Sequence, residues 1–324
     1  MSKKAIILSG GGAKGAWGVG VVKALTELGN TYDIAIGTST GSLIAPFILA
    51  NDIQNLEQGY TSVSQNDIFN VNPFDNDGEI RPVKAGWRVI TGKKTLGESQ
   101  KLREKINELV TDKMLKTIRN QNRQLGVTVA NLNKGISEVK SITDYTNDEM
   151  RDWIWASSNN PLFMSSFEFP KNDPSANSYA DGGITNYANV EHIIKNRPLD
   201  LDHIDVIFHN TREVIREDYE NDSGVLKRLL RVMDMFSAEV NKNDLLNAKL
   251  TFKPDIDISM NIYYMNDLDI TTITTIKRKS LLFDKVRMQT GVMRGYTAMK
   301  NGNIDMDGCT IQCNDGRIVP NLIA

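Results

Sequence analysis

Ser39 stands in the pentapeptide Gly37-Thr38-Ser39-Thr40-Gly41, the pattern G-x-S-x-G, between the apolar run Asp33 to Ile36 and the apolar stretch Leu43 to Ala50. A strand that turns sharply into a helix at such a serine lifts the hydroxyl above the sheet edge. The following helix start offers free amides and a partial positive charge to an oxyanion. The chemistry this suits is nucleophilic acyl transfer. The competing reading is a serine-rich turn that caps a helix.

A serine nucleophile needs a proton acceptor, in most hydrolases a histidine oriented by an acid. The chain has three histidines, His192, His203 and His209. His192 is expected on a helix, His203 in an Asp-rich loop and His209 at the end of a strand. None stands in a triad context, and each reads as a surface or structurally hydrogen-bonded imidazole. Asp181-Gly182-Gly183 offers a carboxylate on a tight turn after Ser178-Tyr179-Ala180. An aspartate with an ordinary pKa near 3.9 is a poor base, so it serves only where desolvation raises its basicity. The same tripeptide can also be a plain turn.

The third element is Ser9-Gly10-Gly11-Gly12-Ala13-Lys14-Gly15. Its glycines can take positive φ and bring backbone amides close to an anion. Gly10, Gly12 and Gly15 fit the dinucleotide fingerprint G-x-G-x-x-G, yet the same amides could form an oxyanion hole, or the loop could be a turn without a ligand. A dinucleotide fold would place a ribose-binding acid about 20 residues on, at the end of the second strand. Here Asp33 opens that strand, and Gly-Thr-Ser-Thr-Gly follows its end. The Walker pattern fails because Gly15, not Ser or Thr, follows Lys14.

These groups need a scaffold. Residues 4 to 8 read as a buried strand and 16 to 28 as a helix, with Val19, Val22, Leu25 and Leu28 at helical spacing and Gly29-Asn30 as the stop. Residues 33 to 36 form a second strand and 43 to 50 a second helix. That alternation predicts a parallel sheet with helices on its faces. Residues 51 to 122 read as a polar, loop-rich insertion ending in one helix from 98 to 119. Strands are expected at 125 to 130, 136 to 142 and 205 to 209, and helices at 150 to 158 and 281 to 300. No repeat or linker divides the chain, so a single domain over 1 to 324 is expected, with a cap at about 52 to 122 and a C-terminal elaboration at about 215 to 324.

With 38 Lys plus Arg against 40 Asp plus Glu among 324 residues, the formal charge is −2, and no basic block could follow a nucleic-acid backbone. The run Ala5 to Leu8 is too short for a signal segment or membrane span. Cys309 and Cys313 are spaced i, i+4 with no second ligand pair, so free thiols, no metal and no cofactor are expected. A reducing cytoplasm is the expected compartment, with peripheral placement at membranes as its extension.

Together the motifs resemble the patatin-like phospholipase family. Its glycine-rich oxyanion loop corresponds to Gly10 through Gly15, its elbow to Gly37 through Gly41, and its D-G-G/A turn to Asp181-Gly182-Gly183. A fourth block, Ala156-Ser157-Ser158-Asn159-Asn160-Pro161-Leu162-Phe163, resembles the family's A-S-x-x-x-P-x-x-F, with the aromatic one place early. The resemblance spans about 4 to 210. It implies an α/β fold with a mostly parallel central sheet between helices, a three-layer sandwich. It also implies a Ser39–Asp181 dyad without histidine, oxyanion donors drawn from Gly10, Gly11, Gly12 and Ala13, with Gly11 and Gly12 foremost, and phospholipid or other fatty acyl ester substrates. Many members carry Arg where Lys14 stands, and Asn-Pro often follows the turn where this chain has Asn186-Tyr187-Ala188-Asn189. The rival readings are a nucleotide-binding module built on the first glycine loop and a catalytically silent lipid-binding scaffold. Interfacial docking is expected through the insertion carrying Phe69, Phe74 and Trp87, and through Lys277-Arg278-Lys279. Core packing and a solvated charged face compete with that reading.

Overall fold

The computed structural model describes residues 2–75, 80–212, 235, 239–240, 243–244, 258–266, 281–311 and 318–320, the last two stretches as backbone alone beyond Asp307. Lys277 to Lys279 and Cys313 lie outside the described residues, as does the side chain of Cys309.

Short β-branched runs alternate with amphipathic segments, and among the described residues they fold as a ten-stranded mixed sheet between helices. Its strands are β1 (Lys3–Leu8), β2 (Ile34–Thr38), β3 (Gln124–Asn131), β4 (Ile136–Ser141), β5 (Phe167–Phe169), β6 (Asn177–Asp181), β7 (Leu201–Phe208), β8 (Ile258–Tyr264), β9 (Asp305–Ile311) and β10 (Ile318–Pro320). The order is β10-β9-β8-β7-β1-β2-β3-β6-β5, with β4 also on β3. The five central strands, β8-β7-β1-β2-β3, are mutually parallel, and the pairings at both margins are antiparallel.

Alternate residues of the central strands feed two cores. Ile6, Leu8 and Ala35 pack with α1 (Gly15–Glu27) and α2 (Thr40–Leu49) on one face, joined by α10 (Lys285–Lys300). Ala5, Ile7, Ile34 and Ile36 face α9 (Val190–Lys195) on the other. The near-continuous apolar character of β1 and β2 follows from burial on both faces.

Residues 51 to 122 are more helical than their polarity suggested. They contain α3 (Ile53–Ser62), α4 (Gln65–Ile68) and α5 (Pro82–Ile90), and the single helix expected over 98 to 119 is two, α6 (Gln100–Leu109) and α7 (Asp112–Asn120). The average composition hid narrow apolar stripes: in α3 only Leu56 is fully buried. Thr111 breaks the long helix because its side chain caps α7, accepting the N–H of Met114 at 3.2 Å. The expected aromatic surface divides as well. Phe69 and Phe74 are core residues in edge contact, whereas Trp87 is exposed. α8 (Asn147–Ser157) starts with a capping box between Thr146 and Glu149.

Candidate active site

Register brings the motifs together. Leu8 pairs with Gly37, so the loop leaving β1 and the turn leaving β2 emerge side by side at the carboxyl edge of the parallel strands. β2 pairs with β3 as far as Thr38 against Thr128. With β4 on the other edge of β3, β6 takes the edge that β2 vacates, setting Asp181 opposite Val129. The residue after Thr38 and the last residue of β6 therefore meet.

Ser39 has φ 53° and ψ −122°, a strained backbone for a residue with a side chain. Gly37 and Gly41 are what allow it. A Cβ on Gly37 would overlap the carbonyl of Gly41, and one on Gly41 would overlap the carbonyl of Leu8. Within this elbow Ser39 is buried, and its Oγ donates a 2.7 Å hydrogen bond to Asp181 Oδ2. The other carboxylate oxygen, Oδ1, accepts the N–H of Gly183 at 2.8 Å, and Asp181 N–H donates to Asn159 O at 2.9 Å. Burial pushes the carboxyl up to about 6, more than the Gly183 amide and Ser39 hydroxyl pull it down.

The glycine loop lies across from this pair. Its Gly10 was expected among the oxyanion donors, but the structure corrects that: Gly10 N–H donates to Tyr187 O at 3.1 Å and is committed. The N–H groups of Gly11, Gly12 and Ala13 meet no acceptor among the described residues. Gly12 has φ 57°, where a side chain would be strained. Gly15 opens α1 directly against Thr40, which opens α2, so two positive helix ends converge on the site. Tyr60 Oη lies 2.8 Å from Thr40 Oγ1 behind them.

Lys14 braces the loop. Its ammonium hydrogen-bonds Asn210 Oδ1, and Asn210 Nδ2 donates to Tyr187 Oη at 2.9 Å. The Tyr187 ring in turn approaches Gly10 and Gly183.

The histidines take other places. His209 is fully buried beneath Gly11, with Nδ1 2.7 Å from Ser9 O and its pKa lowered to about 4 by burial, so it is a neutral structural imidazole. His192 is half-buried on α9. His203 is not in a loop: it lies on β7, Nε2 3.1 Å from Asp205 Oδ1, because a parallel pairing with β8 extends the strand through this polar stretch. Asp33 immediately precedes β2 and its Oδ2 accepts the N–H of Lys4, so it is not the acid at a strand's end that a ribose would need.

Several supports had no signal of their own in the sequence. Ser157 Oγ accepts Ser39 N–H at 2.9 Å and donates to Thr128 O at 2.6 Å. Asp244 Oδ2 accepts the amides of Tyr187 and Ala188 at 2.6 and 2.8 Å. Ser157 sits in the fourth family block, which marked its neighbourhood but not its role. Asp244 belongs to no motif, and only the fold brings it to the Asp181 turn.

Among the described residues no helix is long and apolar enough to cross a membrane, and no cluster of His, Cys, Asp and Glu could hold a metal. A comparison with curated proteins returned no match. Among solved structures, VipD from Legionella pneumophila is similar at 15% identity and a TM-score of 0.41, over 96% of this chain and 68% of that one. The family model for patatin-like phospholipase matches residues 6–194, more than half of the chain, and the protein belongs to this family of lipid acyl hydrolases.

Proposed function

We propose that the protein cleaves fatty acyl esters of phospholipids or lysophospholipids through an acyl-enzyme on Ser39, with Asp181 as the base. The observation that carries the reading is the 2.7 Å hydrogen bond from Ser39 Oγ to Asp181 Oδ2. In this mechanism Ser39 Oγ attacks the ester carbonyl carbon and its proton passes to Asp181. The carbonyl oxygen becomes an oxyanion held by N–H groups of Gly11, Gly12 and Ala13. Collapse breaks the bond to the leaving alcohol, which takes the proton from Asp181. Water then attacks the acyl-enzyme, gives a proton to Asp181, and the fatty acid departs as Ser39 recovers its hydrogen.

A carboxylate can do this work because its surroundings raise its basicity to near neutral pH. The base and nucleophile are already aligned, so no rotamer search precedes attack.

The test is fatty-acid release from phospholipid vesicles and hydrolysis of a soluble short-chain ester by wild type, Ser39→Ala and Asp181→Asn. Loss in both variants is expected, with fluorophosphonate labelling confined to Ser39. Equal rates in all three proteins would eliminate the reading.

A further inference from the structure

Helix α5 presents its side chains the wrong way round for an ordinary surface helix. Its inward face carries Ala85 and the cation Arg88, whose guanidinium donates to Thr95 O at 2.7 Å and pairs with Glu98 at 3.1 Å. Its outward face carries Val83, Trp87 and Ile90, spaced i, i+4, i+7 and 87%, 68% and 82% exposed. Single exposed apolar residues are common, but three in one stripe with a tryptophan at the centre are not.

The charge around the stripe points to what covers it. From 81 to 97 the sequence holds Arg81, Lys84, Arg88, Lys93 and Lys94 and no acidic residue, in a chain whose formal charge is −2. Arg81, Lys93 and Lys94 are exposed at the two ends of the helix. An apolar stripe with tryptophan, framed by cations, suits the boundary between headgroups and acyl chains of an anionic bilayer. A second copy of this chain would bring the same cations against each other, and an acidic protein partner would leave the stripe itself without a complement.

We propose that α5 is the element by which the protein lies on anionic lipid surfaces, Trp87 and Ile90 entering the acyl boundary and Lys93 and Lys94 meeting headgroups. The choice of occupant rests on the lipid-ester reading above. The helix is coupled to the site: Leu96 N–H, in the strap after α5, donates to Leu162 O at 3.0 Å, and Ser99 Oγ donates to Asn159 Oδ1 at 2.7 Å. Asn159 is the residue whose carbonyl accepts the Asp181 amide. Docking through α5 thus holds the bilayer one short strap away from the loop that seats the base.

The experiment uses the full chain with Ser39→Ala, so that vesicles survive, and compares phosphatidylcholine vesicles with and without phosphatidylserine. The parent is expected to sediment with the anionic vesicles, and its tryptophan emission to shift to the blue. Trp87 reports this alone, since Trp17, Trp153 and Trp155 are buried. Both Trp87→Ser/Ile90→Ser and Lys93→Glu/Lys94→Glu should lose about tenfold or more in partitioning. With Ser39 restored, both should keep soluble-ester hydrolysis while vesicle hydrolysis falls. Unchanged partitioning of Trp87→Ser/Ile90→Ser overturns the proposal, as does a parent that ignores both vesicles. A dimer that Trp87→Ser/Ile90→Ser dissolves, with no vesicle binding by the parent, assigns the face to a second copy and overturns it equally. Vesicle binding through α5 without hydrolysis of any ester keeps the docking surface and removes the acyl-hydrolase reading.

Discussion

The hydroxyl of Ser157 joins the backbone of Ser39 to β3: it accepts the Ser39 N–H at 2.9 Å and donates to the Thr128 carbonyl at 2.6 Å. Both partners are buried, and the Ser39 peptide it restrains is the one with the strained φ of 53°. Ser157→Ala leaves a buried donor and a buried acceptor unpaired, each worth about 1–3 kcal/mol. Urea unfolding should record a loss of about 2 kcal/mol, and kcat should fall more than KM changes because the elbow relaxes. Unaltered stability with unaltered kcat would mean that the elbow is held by its glycines alone.

Under the proposed mechanism Asp181 sets the pH profile. Its carboxyl titrates at about 6, raised by burial, so the proposed base is protonated in acid and log kcat/KM should climb with unit slope until about pH 6 and then level. The stability effect runs the opposite way. A carboxyl whose folded pKa lies above the unfolded value contributes fully below about pH 3.8, and that contribution is lost as pH rises through about 6. Asp181→Asn should therefore be about 1–3 kcal/mol more stable than wild type at pH 7 and about 100- to 10,000-fold less active. A variant both inactive and less stable at neutral pH would contradict this account of the carboxyl.

Gly12 separates two effects that are usually confounded. At φ 57°, Gly12→Ala costs about 1–2 kcal/mol of backbone strain but retains the N–H. Gly12→Pro removes that donor and cannot adopt the angle, so activity should fall at least about 100-fold beyond Gly12→Ala. Parallel thermal melts and kinetics distinguish the two; equal activity in both variants would exclude the Gly12 amide from the oxyanion site.

Asp244 bears on the loop from a distance. Its carboxylate holds the Tyr187 and Ala188 amides, and the Tyr187 carbonyl holds Gly10 N–H. Asp244→Ala should cost about 2–4 kcal/mol by leaving two buried amides unpaired. Burial raises the Asp244 carboxyl to about 7, so its contribution is complete below the unfolded value and declines as pH rises through about 7. Denaturation midpoints of wild type and Asp244→Asn should accordingly diverge in favour of the variant on the alkaline side of pH 7.

The departures from expectation share one cause. The polarity of residues 51 to 122 is an average over thin buried stripes, and α5 inverts the usual arrangement by turning Arg88 inward, which composition cannot register. His203 looked like loop because its neighbours are acidic, yet pairing with β8 across the sheet holds it in β7.

What the sequence determined by itself was local: the elbow around Ser39, the glycine run from Gly10 to Gly15, the Asp181 turn and the short apolar strands that end at the first two. Each depends on a few adjacent residues whose φ/ψ demands or periodicity can be read in a line. Only the tertiary structure decided that Asp181 meets Ser39 across 142 positions, that Gly10 spends its amide on Tyr187, and that Ser157 and Asp244 hold the pieces in place. Those relationships follow from strand register and from β6 occupying the edge of β3 that β2 leaves open, long-range pairings that no short window of residues encodes.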